Sequence, residues 1–367
     1  MNVLQHITTN ELPITAYPLS MARDYVRHWG LSEAIREILQ NAIDSKDSPF
    51  EFEFGEDWLK IVSSNAYLEP STLVLGSTSK ADDKESIGSF GEGYKLALLV
   101  LTRLGYTVHI ENRERLWLPV FKYSEQFGID MLYIEEYSCT TTDHGGLAFV
   151  VGGLSWIDMQ SIRESCLQMQ PGIEDVIEVP QGRILPSLPG KLYVNGLFVC
   201  TTELENSYDV KPDYLTLERD RQTVDGFKLK WLAKDMWFAA NQPKVVAKMI
   251  VARSPDLEYA NHYTPAEVKE EVYHEFAKHN PGSVIARSPE HARELEEVQY
   301  TRPVYISTAM HDIVSTSDGY RKQFVTAIVV TPQMKLQAWL DSNKKYLRRL
   351  PKVAFKKLID DAKSWKS

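Results

Sequence analysis

Between Thr107 and Val151 four strand-like runs follow one another with no helix-period segment between them: Thr107–Glu111, Leu116–Phe121, Met131–Ile134 and Leu147–Val151. Parallel neighbours need a long crossover, usually a helix, so this succession excludes a βαβ repeat and calls for an antiparallel sheet. Helix signals are gathered ahead of it. Ile35, Ile38, Leu39 and Ala42 recur at helical spacing, and an apolar helix is expected from Tyr94 to Leu104, ending at Gly105. A further helix is expected from Ser20, as its cap, to His28. Trp58–Val62 reads as one more strand. Helices on one side of an antiparallel sheet make an α+β sandwich.

Later segments carry weaker versions of the same signals. Trp156–Met169 and Phe227–Ala240 read as helices, and Lys191–Cys200 as a hairpin about Asn195-Gly196. After Pro255 come a helix (266–279), a strand (283–286), a helix (290–298), a strand (304–306) and two basic helical stretches about Pro351. The expected division is therefore 1–155, 156–255 and 256–367, the last a small α/β and helical extension.

The 367 residues are 43% hydrophobic, enough for more than one core. Cys139, Cys166 and Cys200 are widely spaced and form no CxxC pair, which argues against a disulfide framework or a cysteine zinc site. The longest apolar run, Leu96–Leu101, is far short of a membrane span, and no signal-peptide pattern opens the chain; a cytoplasmic, non-membrane location is expected. Net charge is −9, yet residues 335–367 carry ten Lys and Arg against three Asp, a local +7 on a body of −16. Such a tail can dock on DNA or an acidic protein partner, or can be a solvated helix whose charges meet the acidic body.

Two segments carry chemistry. In EILQNAID, Glu37 and Asn41 lie one turn apart on a helix and Asp44 extends their stripe, while the apolar residues face elsewhere. A carboxylate can polarise a water; the neighbouring carboxamide offers a neutral oxygen to Mg²⁺. The second segment, Gly88-Ser89-Phe90-Gly91-Glu92-Gly93-Tyr94-Lys95, runs straight into the apolar helix. Its glycines permit close backbone approach, and free amides at a helix start favour a phosphate. The spacing is neither GxxxxGK[ST] nor GxGxxG, which excludes a P-loop or Rossmann site.

In this order and about fifty residues apart, IREILQNAIDSKD and STSK…IGSFGEGYKLALLVL resemble the N-box and the ATP lid of the GHKL family, which includes gyrase B, the ninety-kilodalton heat-shock chaperones, histidine kinases, MutL and MORC proteins. The likeness extends to small phage-encoded members, which would place the protein in a host cytoplasm. The resemblance implies a Bergerat-type sandwich, with a mixed or antiparallel sheet and helices on one face, holding ATP and Mg²⁺. It implies Glu37 as catalytic base, Asn41 as metal ligand, Gly88, Gly91 and Gly93 as the phosphate cradle, and Lys95 as a phosphate contact. Asp44, Phe90, Glu92 and Tyr94 fall within the same binding segments, and Thr78, Ser79 and Lys80 match the leading edge of the lid.

Two departures concern the base. The family's DxGxG stretch appears as IVSSNAYLEP, so Asn65 is the expected acceptor for the adenine amine, and the late Gly-Thr pair appears as Gly145-Gly146-Leu147. The following block, LPGKLYVNGLFV and LERDRQTVDGF, resembles the transducer domain of the gyrase, MutL and chaperone branches. There Arg219 or Arg221 could reach the γ-phosphate, or pair internally with Asp220 or Glu218. The function expected is a slow ATPase that drives a conformational switch, with closure of a homodimer among its forms. The alternatives are a nucleotide-binding interaction protein without turnover and a histidine-kinase-like phosphotransferase.

Overall fold

The computed structural model describes residues 12–44, 50–64, 66–74, 92–139, 146–215, 225–261, 263–299 and 302–325, with parts of 336–361. Contacts divide the chain into two units, residues 1–177, 181–202 and 206–224 in one, and 178–180, 203–205 and 225–367 in the other. The architecture is multidomain α+β, with antiparallel and mixed sheets flanked by helices and a small helical region at the C-terminus.

The first unit is built on seven strands: β1 (Thr15–Ala22), β2 (Phe50–Phe54), β3 (Trp58–Ser63), β4 (Thr107–Asn112), β5 (Arg115–Ser124), β6 (Ile129–Ser138) and β7 (Leu147–Gly152). Their order is β1-β6-β5-β4-β7-β3-β2, and every neighbouring pair is antiparallel. Three helices accompany them: α1 (Leu31–Ile43), α2 (Gly93–Leu104) and α3 (Trp156–Ser165). The period of two in each strand decides the layers. Leu59 and Ile61, Val108 and Ile110, Leu132 and Ile134, Phe149 and Val151 project from one face and pack with Ile35, Ile38 and Leu39 of α1 and Ala97, Leu98 and Leu101 of α2. The intervening residues face the other way, where Lys60 Nζ donates to Glu111 Oε2 at 2.8 Å across β7.

The helix expected from Ser20 to His28 is instead the second half of β1 followed by turns. Leu19 and Met21 are buried with exposed Ser20 between them, an alternation a strand satisfies and a helix does not. Pairing with β6 holds the strand on both sides of this stretch, through Pro18↔Tyr133 and Ala22↔Met131, with a register shift between them. Strand β2, FEFEF, carries the same alternation.

Still within the first unit, Gly182–Leu185, Lys191–Val194, Leu197–Thr201 and Ser207–Val210 form a mixed sheet in which Lys191–Val194 pairs antiparallel with Leu197–Thr201 and parallel with Ser207–Val210. Its hairpin turns at Asn195-Gly196. In the second unit the helices Gly226–Ala239, Pro243–Ala252 and Ala266–His279 precede a parallel strand pair, Ser283–Ala286 with Arg302–Tyr305, and the helix Arg349–Asp361. All three cysteines are free thiols. Among the described residues, no helix is long and apolar enough to cross a membrane.

Candidate functional site

Helix α1 buries Ala34, Ile35, Ile38, Leu39 and Ala42 against the sheet, which turns Glu37 and Asn41 toward the flank where α2 packs. Its start is fixed by the Gly30 amide donating to the Glu33 carboxylate at 2.8 Å. Asn41 Nδ2 donates to the Glu37 main-chain oxygen at 2.7 Å. Only the NH₂ end of the amide can face a carbonyl, so this bond settles the orientation and turns Oδ1 away from the helix backbone. Asp44, at the C-terminal cap of α1, is buried.

Gly93, the first residue of α2, lies directly on that pair. A Cβ at position 93 would stand 2.1 Å from Glu37 Oε2, 3.2 Å from its Cδ and 3.5 Å from Asn41 Nδ2. No residue but glycine brings a helix start this close to the carboxylate. The Glu92 side chain makes no capping hydrogen bond at the start of α2.

The next two residues fasten α2 on its other side. The Tyr94 hydroxyl donates to the Thr72 carbonyl at 3.0 Å and lies 3.0 Å from Thr72 Oγ1, and its ring meets Phe149 edge-on. Burial pushes the Tyr94 phenol up to about 12, the Thr72 hydrogen bond opposing the shift. Lys95 is fully buried and Nζ donates to the Val74 carbonyl at 2.7 Å. Burial lowers its pKa, and the Glu92 charge partly restores it.

At the far end of β3 the register sets Ser63 opposite Leu147 of β7, and Leu147 opposite Asn112 of β4. Ser63 and Leu147 share the helix-bearing face and are buried. The chain before β7 is pressed onto this end: a Cβ on Gly146 would lie 2.3 Å from Ser64 O and 2.6 Å from Ser63 O. Beyond it opens a cleft of about 1080 Å³ lined by Tyr17, Tyr67, Arg113, Arg115, Trp117 and Glu136, among others. Asn112 holds its rim by accepting from Leu68 N at 3.0 Å and donating to Leu68 O at 2.8 Å. The Arg113 guanidinium stacks 3.6 Å over the Tyr67 ring, and Trp117 Nε1 donates to Glu136 at 2.8 Å. Reasoning from motifs missed this cleft; the alternation of ENRERLW about the β4–β5 turn was the available signal.

The structure thus brings Glu37, Asn41 and Gly93 together, and places Tyr94 and Lys95 behind them. Asn65, Thr78, Ser79, Lys80, Gly88, Phe90, Gly91, Arg219 and Arg221 lie outside the described residues. Among the described residues, no group of three or more His, Cys, Asp or Glu side chains could hold a metal ion.

No protein-family model matches this chain. It is 26% identical over 218 residues to a protein of Mycoplasma pneumoniae (strain ATCC 29342 / M129) described as an uncharacterized protein, over 53% of this chain and 86% of that one.

Proposed function

We propose that the protein is a Mg²⁺-dependent ATPase of the GHKL type, its first unit a Bergerat-type sandwich in which α1 and the start of α2 receive the triphosphate. The observation that carries this reading is the close approach of Gly93 to Glu37 and Asn41, which brings the two chemistry-bearing segments together where α1 packs on α2. The Glu37 carboxylate fills the space where a Cβ at position 93 would stand, so glycine there lets the start of α2 come right up to the proposed base and metal ligand.

Glu37 is the general base, drawing a proton from the water that attacks the γ-phosphorus as the bond to the β-phosphate oxygen breaks. Asn41 Oδ1 is the protein's ligand for Mg²⁺. The ion needs no cluster of protein carboxylates because phosphates and water complete its shell, and when bound it neutralises charge on the phosphate oxygens. Asp44, buried at the C-terminal cap of α1, completes the binding stripe of the same helix. Gly88, Phe90, Gly91, Thr78, Ser79 and Lys80 belong to the same binding segment. Arg219 and Arg221 are the candidates for a γ-phosphate contact from the transducer-like block. The output is a conformational switch that acts on a macromolecular partner, with dimer closure as one form and the basic C-terminus as the surface for DNA or an acidic protein.

A second reading is nucleotide binding without turnover. At the sheet end where an adenine-binding carboxylate is expected, the inward residues are the neutral Ser63 and Leu147, packed and buried, so under either reading the base is held there without a charged acceptor. Glu37→Gln separates the two. Under the ATPase reading, phosphate release falls by about a hundredfold while Mg²⁺-ATP affinity stays within about threefold. Wild-type protein that binds Mg²⁺-ATP and releases no phosphate establishes the second reading instead.

A further inference from the structure

We propose that Lys95 is a positioning residue whose buried ammonium holds the Val74 carbonyl and so keeps the first turn of α2, with Gly93 at its head, seated on Glu37 and Asn41. Its effect on turnover rests on the ATPase reading above; the clamp itself does not.

Three successive residues fasten the start of α2, the first against α1 and the next two to the segment Pro70–Val74. Gly93 meets the Glu37 carboxylate, Tyr94 donates to Thr72 O, and Lys95 donates to Val74 O. Thr72 in turn is tied to its own turn, its hydroxyl donating to Glu69 O at 2.7 Å. The segment Pro70–Val74 is therefore the anvil against which α2 is held. An ammonium that contacts a phosphate must present its N–H groups to an open site. Lys95 is 0% exposed, and its Nζ is committed to a carbonyl at hydrogen-bond distance. Burying this charge is costly unless it is paired or hydrogen-bonded. Here a main-chain carbonyl and the nearby Glu92 charge offset part of that cost. Withdrawing the side chain toward a nucleotide would break the bond and leave a void beneath the first turn. The chemistry that a GxxGxGxK spacing suggests for its lysine is thus replaced by a mechanical one. The lysine sets where the Gly93 amide and the Glu37 carboxylate stand.

The test uses the full chain with Lys95→Met, which keeps the apolar stem and removes the donor, and Lys95→Gln, which keeps a shorter neutral donor. Hydrogen exchange of the amides of Tyr94–Leu98 reads the clamp without nucleotide. Lys95→Met should speed it at least tenfold and Lys95→Gln by less. Single-turnover phosphate release should fall at least tenfold in Lys95→Met and recover in part in Lys95→Gln. The ratio of Mg²⁺-ATP to Mg²⁺-ADP affinity should stay within twofold in both. A collapse of that ratio, with Gln no better than Met, would identify a phosphate ligand and overturn the proposal. So would unchanged exchange in Lys95→Met. Should Lys95→Met fail to fold, Lys95→Gln carries the same readings against wild type. A wild-type protein that binds no nucleotide defeats the ATPase reading alone, and the exchange measurement then judges the clamp.

Discussion

The closest contact in the proposed site makes Gly93→Ala the most telling substitution. At an ordinary helical position alanine stabilises by up to about 1 kcal/mol relative to glycine. Here the new methyl would stand 2.1 Å from Glu37 Oε2, against an ordinary contact distance of 3.4–4 Å. The carboxylate must therefore retreat by more than about 1 Å, the scale of misplacement that costs on the order of a hundredfold in rate. The atom that yields is the tip of a flexible side chain, so the displacement itself is cheap, and a rotamer change of about 1 kcal/mol offsets the gain in helix propensity. The expected result is a split. Thermal melting should show a stability change within about ±1 kcal/mol, or a few degrees in Tm, while steady-state phosphate release falls about a hundredfold. Unchanged turnover would refute the argument, since it would mean that the position of Glu37 beside Gly93 is irrelevant to chemistry. A large loss of Tm would refute it differently, by making Gly93 a packing residue only.

Asn41→Ala should weaken binding of Mg²⁺-ATP by about tenfold and of metal-free ATP hardly at all; equal weakening in a titration with and without chelator would remove the metal-ligand role. Gly146→Ala meets main-chain oxygens at 2.3 and 2.6 Å, which cannot swing aside. It should cost about 1–3 kcal/mol in denaturant unfolding, and a neutral outcome would show that the β3–β7 end is looser than described. The Tyr94 phenol, pushed up to about 12 by burial, keeps its proton in the fold through the range where an unfolded tyrosine, with a pKa of about 10, loses it. The unfolded state then binds fewer protons, so the contribution of Tyr94 is complete below pH about 10 and is lost as pH rises toward 12. Tyr94→Phe should flatten that alkaline slope in pH-dependent melts and cost about 1 kcal/mol near neutrality through the lost Thr72 bond. An unaltered slope would place the alkaline titration elsewhere, Tyr137 being the next candidate because burial and Glu135 push it to about 12 as well.

How far the sequence could be read followed from how local each determinant is. Helices α1 and α2 were legible because apolar spacing and a stop at Gly105, whose φ is +87°, are local facts. The antiparallel sheet was legible from uninterrupted strand signals. Strand β1 was misread because Ser20 looks like a cap in isolation; only pairing with β6 favours the alternating burial of Leu19 and Met21 over a helix. The proximity of Gly93 to Glu37 is set by α1–α2 packing across about fifty residues. A motif can suggest such a contact; the apolar pattern of neither helix fixes it.

Base recognition makes the same point at the scale of one residue. Motif spacing put the acceptor at Asn65, because it is the side chain with an amide oxygen nearest the expected place. Strand period gives a different rule. Leu59, Ile61 and Ser63 alternate onto the helix-bearing face, and Ser63 is the last of them within β3, opposite Leu147. A ligand lying between that face and α1 would meet Ser63 before any residue whose side chain projects through the other face. Its hydroxyl can donate or accept, so it offers an adenine amine an acceptor without excluding a guanine carbonyl. A carboxylate would exclude it, having no donor to give. Leu147, its cross-strand neighbour, adds only apolar contact. Selectivity between ATP and GTP at this end should therefore be no more than about 1–2 kcal/mol, the cost of one unsatisfied buried hydrogen bond. Ser63→Ala should erase it and Ser63→Asp sharpen it in competitive binding. Adenine selectivity that survives Ser63→Ala would return the role to Asn65 and show that the chain turns its side chains over immediately beyond β3.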